Sequence, residues 1–499
     1  MSELEEQLKY DREKVRNSVR LQMPLEMTSY TLPRNMEAYI RGVMEMFLEE
    51  CHQEHLKEYL NFCIGELLTN SKKANTKRVY FKEKNLDIDD PEDYEKGMEH
   101  FKEDTLTNID HYLELQKKAG LYIKLSLKIL ADKIYIEISN NVKLTVFERE
   151  RIQQKLDSVQ QYGEMDEVLT KVLDQTEGAG LGIIIIILML QKVGLSKENY
   201  QVLSTDEETI TRIIMPCNRT VFAGVEMMSY EFVNFKDTIP IRKDNCNKVY
   251  DLLKKPSVNR CALYEIIRSD PTLTLLLLKY AREKDSTCFN FTKAMSMLTD
   301  NDLKYIFSDS NPNCEFIDPT EKMKDIWEHS RRVAFYAYNL FKNSPYTDIT
   351  DGEEVLYLLG LLNSLGAIFL ATASHEQLEY ITELSRQYDD YGDNILDMFR
   401  YGNAATFLTM VVAKRFGFER DTCNKLVSWN GLALVPDFSI SEVSILHLAE
   451  SLQYYDEGMI DYYQIDKNVR KAFNLSNESQ FKALLANLKN GLETLSTSA

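Results

Sequence analysis

The chain is short of several things that would mark a secreted, membrane-spanning or nucleic-acid-coating protein. Its eight cysteines are scattered and form no Cys-x-x-Cys pair. That argues against a disulfide framework or a zinc ribbon and for reduced thiols in a cytoplasmic setting. Each reads first as a small core residue. No stretch supplies the roughly 18–20 consecutive apolar residues of a membrane helix. The longest run, Ile183 to Leu190, has eight and reads as a buried helix. Met1 to Glu6 lacks the basic start and apolar core of a signal peptide. Positive charge is also scarce. Lys and Arg number 59 against 78 Asp and Glu, a net charge of -19, so general binding to a phosphate backbone is not expected. The expectation is a cytoplasmic protein with neither nucleic acid nor membrane as partner.

What is present is ordinary globular sequence, 44% apolar and 27% charged over 499 residues, enough for two to four domains. Residues 1–25 are charged and read as an N-terminal helical extension. A strand is expected at Met27–Leu32, a helix from Asn35 to about Glu50, and a second helix from about Glu54 to Asn75. In the second, Leu56, Leu60, Ile64, Leu67 and Ser71 form a stripe. Glu66, Asn70 and Lys73 share a different face at i, i+4 and i+7. Arg78–Lys82 reads as a strand and 83–119 as a helical insertion opening at Asp90-Pro91. Strands follow at Leu121–Ile129 and Lys133–Ser139, turning at Ala131 and Asp132. In the second strand Ile134, Ile136 and Ile138 alternate with Tyr135 and Glu137. A helical lid occupies 145–178. Gly178, Gly180, Leu181 and Gly182 form a glycine-rich loop opening into the apolar helix, and strands near Tyr200–Ser204 and Thr209–Met215 complete the set. The order is α+β, with helices on one face of a mixed or antiparallel sheet. Residues 217–236 read as a linker, and 237–499 are almost wholly helical in period.

The residues that carry chemistry are few. A glycine-rich turn before a helix lets backbone N–H groups approach phosphate, with the positive helix end behind them. A side-chain amide can give an oxygen to Mg, which keeps several waters and takes few protein ligands. The Glu66, Asn70 and Lys73 face, followed in order by strands and then Gly178, Gly180 and Gly182, resembles the ATP site of the GHKL superfamily. The stand-alone anti-sigma-type branch is the nearest in pattern. The resemblance covers 26–216 and implies an α+β sandwich. It implies ATP or ADP as cofactor, Asn70 as the Mg ligand, Glu66 contacting the metal or orienting water, and Lys73 on a phosphate. The family's Asp-x-Gly-x-Gly motif, whose Asp accepts from the adenine amino group, falls here on Asn140 to Leu144. Asn140 stands for the Asp, and both glycines are missing. An amide oxygen still accepts a hydrogen bond, without the charge of a carboxylate, which argues against turnover. His52 and His55 lack the motif that surrounds a phosphoacceptor histidine.

The second half resembles an HDOD domain, a signalling relative of the HD phosphohydrolases. The resemblance rests on Tyr264–Ala281 with its Asp270-Pro271 helix start, on Ile326–Ala334, on Gly360–Gly366 and on the closing stretch from Phe473. HD hydrolases hold metal through a His, a vicinal His-Asp pair and a later Asp, which activate water. Asn363 and Ser364 replace the pair. His329 survives alone and reads as a packed or hydrogen-bonded residue. Trp429 and Asn430 stand near a His-His pair common in such domains. No HD-type metal is expected. The resemblances together imply a signalling adaptor whose nucleotide state regulates partner binding by the helical domain. Alternatives are an active GHKL ATPase or anti-sigma-type protein Ser kinase, and a scaffold with both sites dead.

Overall fold

The computed structural model describes residues 11–130, 133–158, 182–344, 346, 351–401, 404–428 and 441–498. The turn at Ala131 and Asp132, the lid beyond 158, Gly178, Gly180, Leu181, Trp429 and Asn430 lie outside the described residues. Two compact units result, one within 1–19 and 24–218, the other within 20–23 and 219–499.

The first unit runs α1 (Arg12–Arg20), β1 (Leu25–Ser29), α2 (Arg34–Glu50), α3 (Lys57–Glu83), α4 (Pro91–Thr107), α5 (Ile109–Lys118), β2 (Ile123–Leu130), β3 (Lys133–Asn140), α6 (Val146–Ser158), α7 (Gly182–Lys192), β4 (Tyr200–Ser204) and β5 (Thr209–Pro216). Its five strands lie in the order β1-β2-β3-β5-β4, every pair antiparallel. Of the two sheet types expected, the antiparallel one forms. Ile134, Ile136 and Ile138 are buried, and α2 and α3 pack against the sheet. The opposite residues are covered too. Glu137 accepts from Lys128 Nζ at 3.1 Å and Arg212 Nε at 2.5 Å, and both cations lie within 6 Å of the Tyr135 ring centre. That face of β3 is closed by charged side chains of its neighbours β2 and β5.

Two expectations fail. Arg78–Lys82 is no strand, because α3 continues through it to Glu83. Val79, Tyr80 and Phe81 are β-prone by type, but they pack with Tyr112 of α5, and Tyr94, Met98 and Phe101 of α4 close over them. Tertiary packing overrides propensity there. The insertion is therefore a helical pair seated on an extended α3. Nor is 217–236 a linker: α8 spans Arg219–Phe235 and buries Val221, Val225, Met228 and Phe232 within the second unit.

The second unit continues with β6 (Ile239–Arg242), α9 (Lys243–Leu253), α10 (Arg260–Arg268), α11 (Pro271–Lys284), α12 (Phe291–Met297), α13 (Asp300–Ile306), β7 (Cys314–Ile317), α14 (Glu321–Lys342), α15 (Gly352–Leu362), α16 (Leu365–Ala371), α17 (His375–Ser385), α18 (Gly392–Tyr401), α19 (Ala404–Arg415), α20 (Arg420–Ser428), α21 (Glu442–Asp456), α22 (Lys467–Ala472) and α23 (Glu478–Ser498). A two-stranded parallel pair, β6 with β7, interrupts the helices; its short strands went unread. Gly352–Ala371 is long and apolar enough to cross a membrane by length and composition, a stretch missed by counting unbroken apolar runs. It comprises α15 and α16, and 61% of its apolar window is buried in the protein.

Candidate functional site

In the first unit the site is built on α3. Glu66 is half-buried, and Asn70 and Lys73 are exposed along one face. Ile184, Ile186 and Ile187 of α7 are buried and hold its first described turn against that face. Gly182, its first described residue, meets Glu66 and Asn70 there. A methyl group on Gly182 would collide with Glu66 Oε2 and lie 3.8 Å from Asn70 Nδ2. Three of the selected residues, distant in sequence, thus converge at the first described turn of α7. Gly178, Gly180 and Leu181 precede the described part of α7.

Asn140 lies further along. It is 3% exposed and gives its Nδ2 hydrogen to Asn75 Oδ1 at 3.0 Å. Asn75 in turn donates to the Tyr122 carbonyl at 3.1 Å. Asn141 holds the same corner, accepting from Tyr122 N at 2.7 Å and donating to the Gly120 carbonyl at 3.0 Å. Thr209 Oγ1 donates to the Val142 carbonyl at 2.7 Å. Asn75, Asn141 and Thr209 escaped notice in the sequence. The only signal was a polar residue on the inner face of α3, five positions past Asn70.

The start of α6 is anchored to α3 by charge. Glu148 of α6 accepts from Lys77 Nζ at 2.9 Å and from Arg78 Nη2 at 2.6 Å. Burial alone pushes its carboxyl up, but the Arg78 hydrogen bond and the charges of both cations outweigh this and hold it at about 2. Arg78 Nη2 also donates to the Lys143 carbonyl at 2.6 Å, and Tyr94 of the insertion stacks on Phe147 of α6 with centres 4.7 Å apart. Further along α6, Lys155 has its pKa lowered by burial and by the charges of Arg151 and Lys73. Cations of α3 and α6 therefore gather on the Asn70 side of the cleft.

In the second unit Asp270 organises the entry to α11. Its Oδ1 accepts from the backbone N–H of Thr272 at 2.9 Å and of Leu273 at 3.1 Å, a side-chain N-cap. The same oxygen accepts from Trp327 Nε1 at 3.3 Å. Gly360 lets α15 lie against α14, since a methyl there would be 2.9 Å from Ala334 Cα. His329 of α14 stands between two glutamates of the α21 region: Nε2 to Glu450 Oε2 at 3.0 Å and Nδ1 to Glu457 Oε1 at 2.8 Å. Burial lowers its pKa, but the paired carboxylates overcome this and raise it to about 10. The imidazolium is held from both sides, so the two carboxylates cannot converge with the ring on one metal. Ser364 Oγ donates to Asn363 Oδ1 at 3.0 Å, and Thr409 Oγ1 donates to the Asn363 carbonyl at 2.8 Å. Among the described residues no group of three or more His, Cys, Asp or Glu has a metal-holding arrangement.

The HDOD domain model matches residues 239–424, from β6 into α20. A relative in Treponema pallidum (strain Nichols), an uncharacterized protein, is 30% identical and aligns over 98% of this chain and 96% of its own length. The chain belongs to one family with that protein, and residues 239–424 of its helical half are an HDOD domain. Solved structures that resemble it include the MmoQ response regulator of Methylococcus capsulatus, at 18% identity and TM-score 0.36, covering 47% of this chain and 91% of that one. Another is an HDOD domain protein of unknown function from Geobacter sulfurreducens, at 14% identity and TM-score 0.28, covering 55% and 96%. The Treponema relative aligns through both units, so the segment before the HDOD domain is part of the shared family architecture.

Proposed function

We propose that the chain is a cytoplasmic signalling adaptor. Its first unit binds ATP or ADP with Mg in a GHKL-like site, and the bound nucleotide sets how the HDOD domain engages a protein partner. The observation that carries this reading is the meeting of Gly182, at the start of α7, with Glu66 and Asn70 on α3. It brings the helix that follows the glycine-rich loop against an amide oxygen suited to Mg. Lys73 with Arg151 and Lys155 adds positive charge on the same side. The antiparallel sheet backed by helices is consistent with the sandwich the resemblance implies. Asn140 spends an amide hydrogen on Asn75, which leaves Oδ1 as its acceptor, the group an adenine amino would need. Glu148, tied to α3, gives the lid a fixed base from which a nucleotide-dependent change can propagate. A nucleotide shifts such a lid only by binding one of its states more tightly.

The test is calorimetric titration of nucleotide-stripped full-length protein with ATP and ADP, with and without Mg. Mg-dependent saturable binding, weakened at least tenfold by Asn70→Ala in a folded variant, is the expected result. No binding to the folded wild type would make the chain a scaffold. Glu66 beside Asn70 also fits a second reading as an ATPase or protein kinase, which transfer of labelled phosphate to water or to a partner would reveal.

A further inference from the structure

The HDOD unit carries an open cleft of about 850 Å³ between α10, α12, α14 and α15. Its apolar walls are the rings of Tyr264, Tyr338 and Phe341. Its lip is acidic, formed by Asp351, Glu353 and Glu354 at the start of α15. Two cations also line it, Arg268 and Lys293, and each is paired with a carboxylate within the protein. Lys293 Nζ pairs with Asp285 at 2.6 Å. Arg268 pairs with Glu354 at 3.0 Å and lies 3.9 Å from the Tyr357 ring centre.

After these pairings Asp351 and Glu353 have only neutral donors: Asn290 Nδ2, at 3.3 Å from Asp351, and the Tyr338 hydroxyl on Glu353. Among the described residues no cation pairs with either. Glu354 and Arg268 pair with each other, and each keeps one buried atom, Oε1 and Nε, without a hydrogen-bond partner. The lip therefore holds uncompensated negative charge beside aromatic faces. Arg268 shows what those faces accept: its guanidinium lies 5.7 Å from Tyr264 and 5.9 Å from Tyr338 as well. An anion is disfavoured at this lip. A small hard cation gains nothing from ring walls and finds no converging ligand set.

We propose that this cleft binds an organic polycation of polyamine size, its ammonium groups on Asp351 and Glu353 and its methylene chain along Tyr264, Tyr338 and Phe341. The proposal is independent of nucleotide binding in the first unit.

Calorimetric titration of the full chain with spermidine, at an ionic strength fixed with NaCl, tests it. Saturable binding is expected, and Glu353→Gln or Asp351→Asn should weaken it at least tenfold. Both substitutions preserve shape, and Asn tolerates the left-handed backbone at Asp351 (φ 55). Tyr338→Leu, which leaves the acids in place, should weaken it as well, while Asn70→Ala should leave it unchanged. Circular dichroism establishes that each variant is folded. Absence of saturable binding to wild type overturns the proposal. So does binding that MgCl2 abolishes at equal ionic strength, or that none of the three cleft variants alters. A short Lys- and Arg-containing peptide that binds where spermidine does not overturns it in favour of a protein partner.

Discussion

His329 is held as a cation between two carboxylates, Glu450 at 3.0 Å and Glu457 at 2.8 Å. Removing one partner of a buried pair leaves the other uncompensated, at a cost of about 3–5 kcal/mol. His329→Gln should therefore destabilise the HDOD unit by about that much in urea titrations near pH 6. The sign of the pH dependence follows from the raised pKa. The folded value of about 10 exceeds the ordinary 6.5, so the contribution is complete below about pH 6.5 and is lost as pH rises toward 10. The gap between wild type and His329→Gln should narrow over that window; a constant gap would mean that the ring acts by packing alone. Gly182 makes a different demand. The methyl of Gly182→Ala would meet the end of the flexible Glu66 side chain, so the fold should lose about 1 kcal/mol or less. Nucleotide affinity should fall at least tenfold, because Glu66 is pushed toward Asn70. An unchanged affinity would separate Gly182 from the site.

Among the elements, α3 and α6 are coupled by one buried carboxylate. Glu148→Gln leaves Lys77 and Arg78 facing an amide and should cost about 3 kcal/mol in the first unit. Its folded pKa of about 2 lies below the ordinary 4.5. That stabilisation is present above about pH 4.5 and disappears as pH falls through 2. Acid titration followed by circular dichroism should show wild type and variant converging there. In the HDOD unit, Gly360→Ala would press a methyl onto the backbone of α14 at Ala334, which cannot move aside as a side chain can. A loss of about 1–3 kcal/mol is expected, read as a lowered urea midpoint. The elements legible in the sequence were those whose signal is local. The Asp270-Pro271 cap, the alternation at Ile134, Ile136 and Ile138, and the apolar run from Ile183 each carry their own pattern. Arg78–Lys82 and 217–236 misled because their structure is set by distant partners: the insertion helices for one, the core of the HDOD unit for the other. At the site, the helical face of Glu66, Asn70 and Lys73 was readable from spacing. The bond between Asn75 and Asn140 was not, since no periodicity predicts which buried amide finds which.

At the scale of the whole molecule, the chain joins an antiparallel α+β unit to an HDOD domain, with the Treponema relative aligned along both. Ligands of the two units should leave separable marks. Under the proposed function, excess Mg–ATP stabilises the first unit by mass action, and a polyamine in the acidic cleft stabilises the second.

The hydrogen bond from the Trp327 indole to Asp270 gives the means to tell them apart. The chain has only two tryptophans, at positions 327 and 429, both in the helical half, and Trp327 is buried at the entry to α11. Light absorbed near the red edge of the indole band therefore reports on the HDOD half alone, while the many tyrosines report on both. The protein carries its own spectroscopic label on one unit, and no dye or engineered cysteine is needed to watch that half melt, bind or respond to its neighbour.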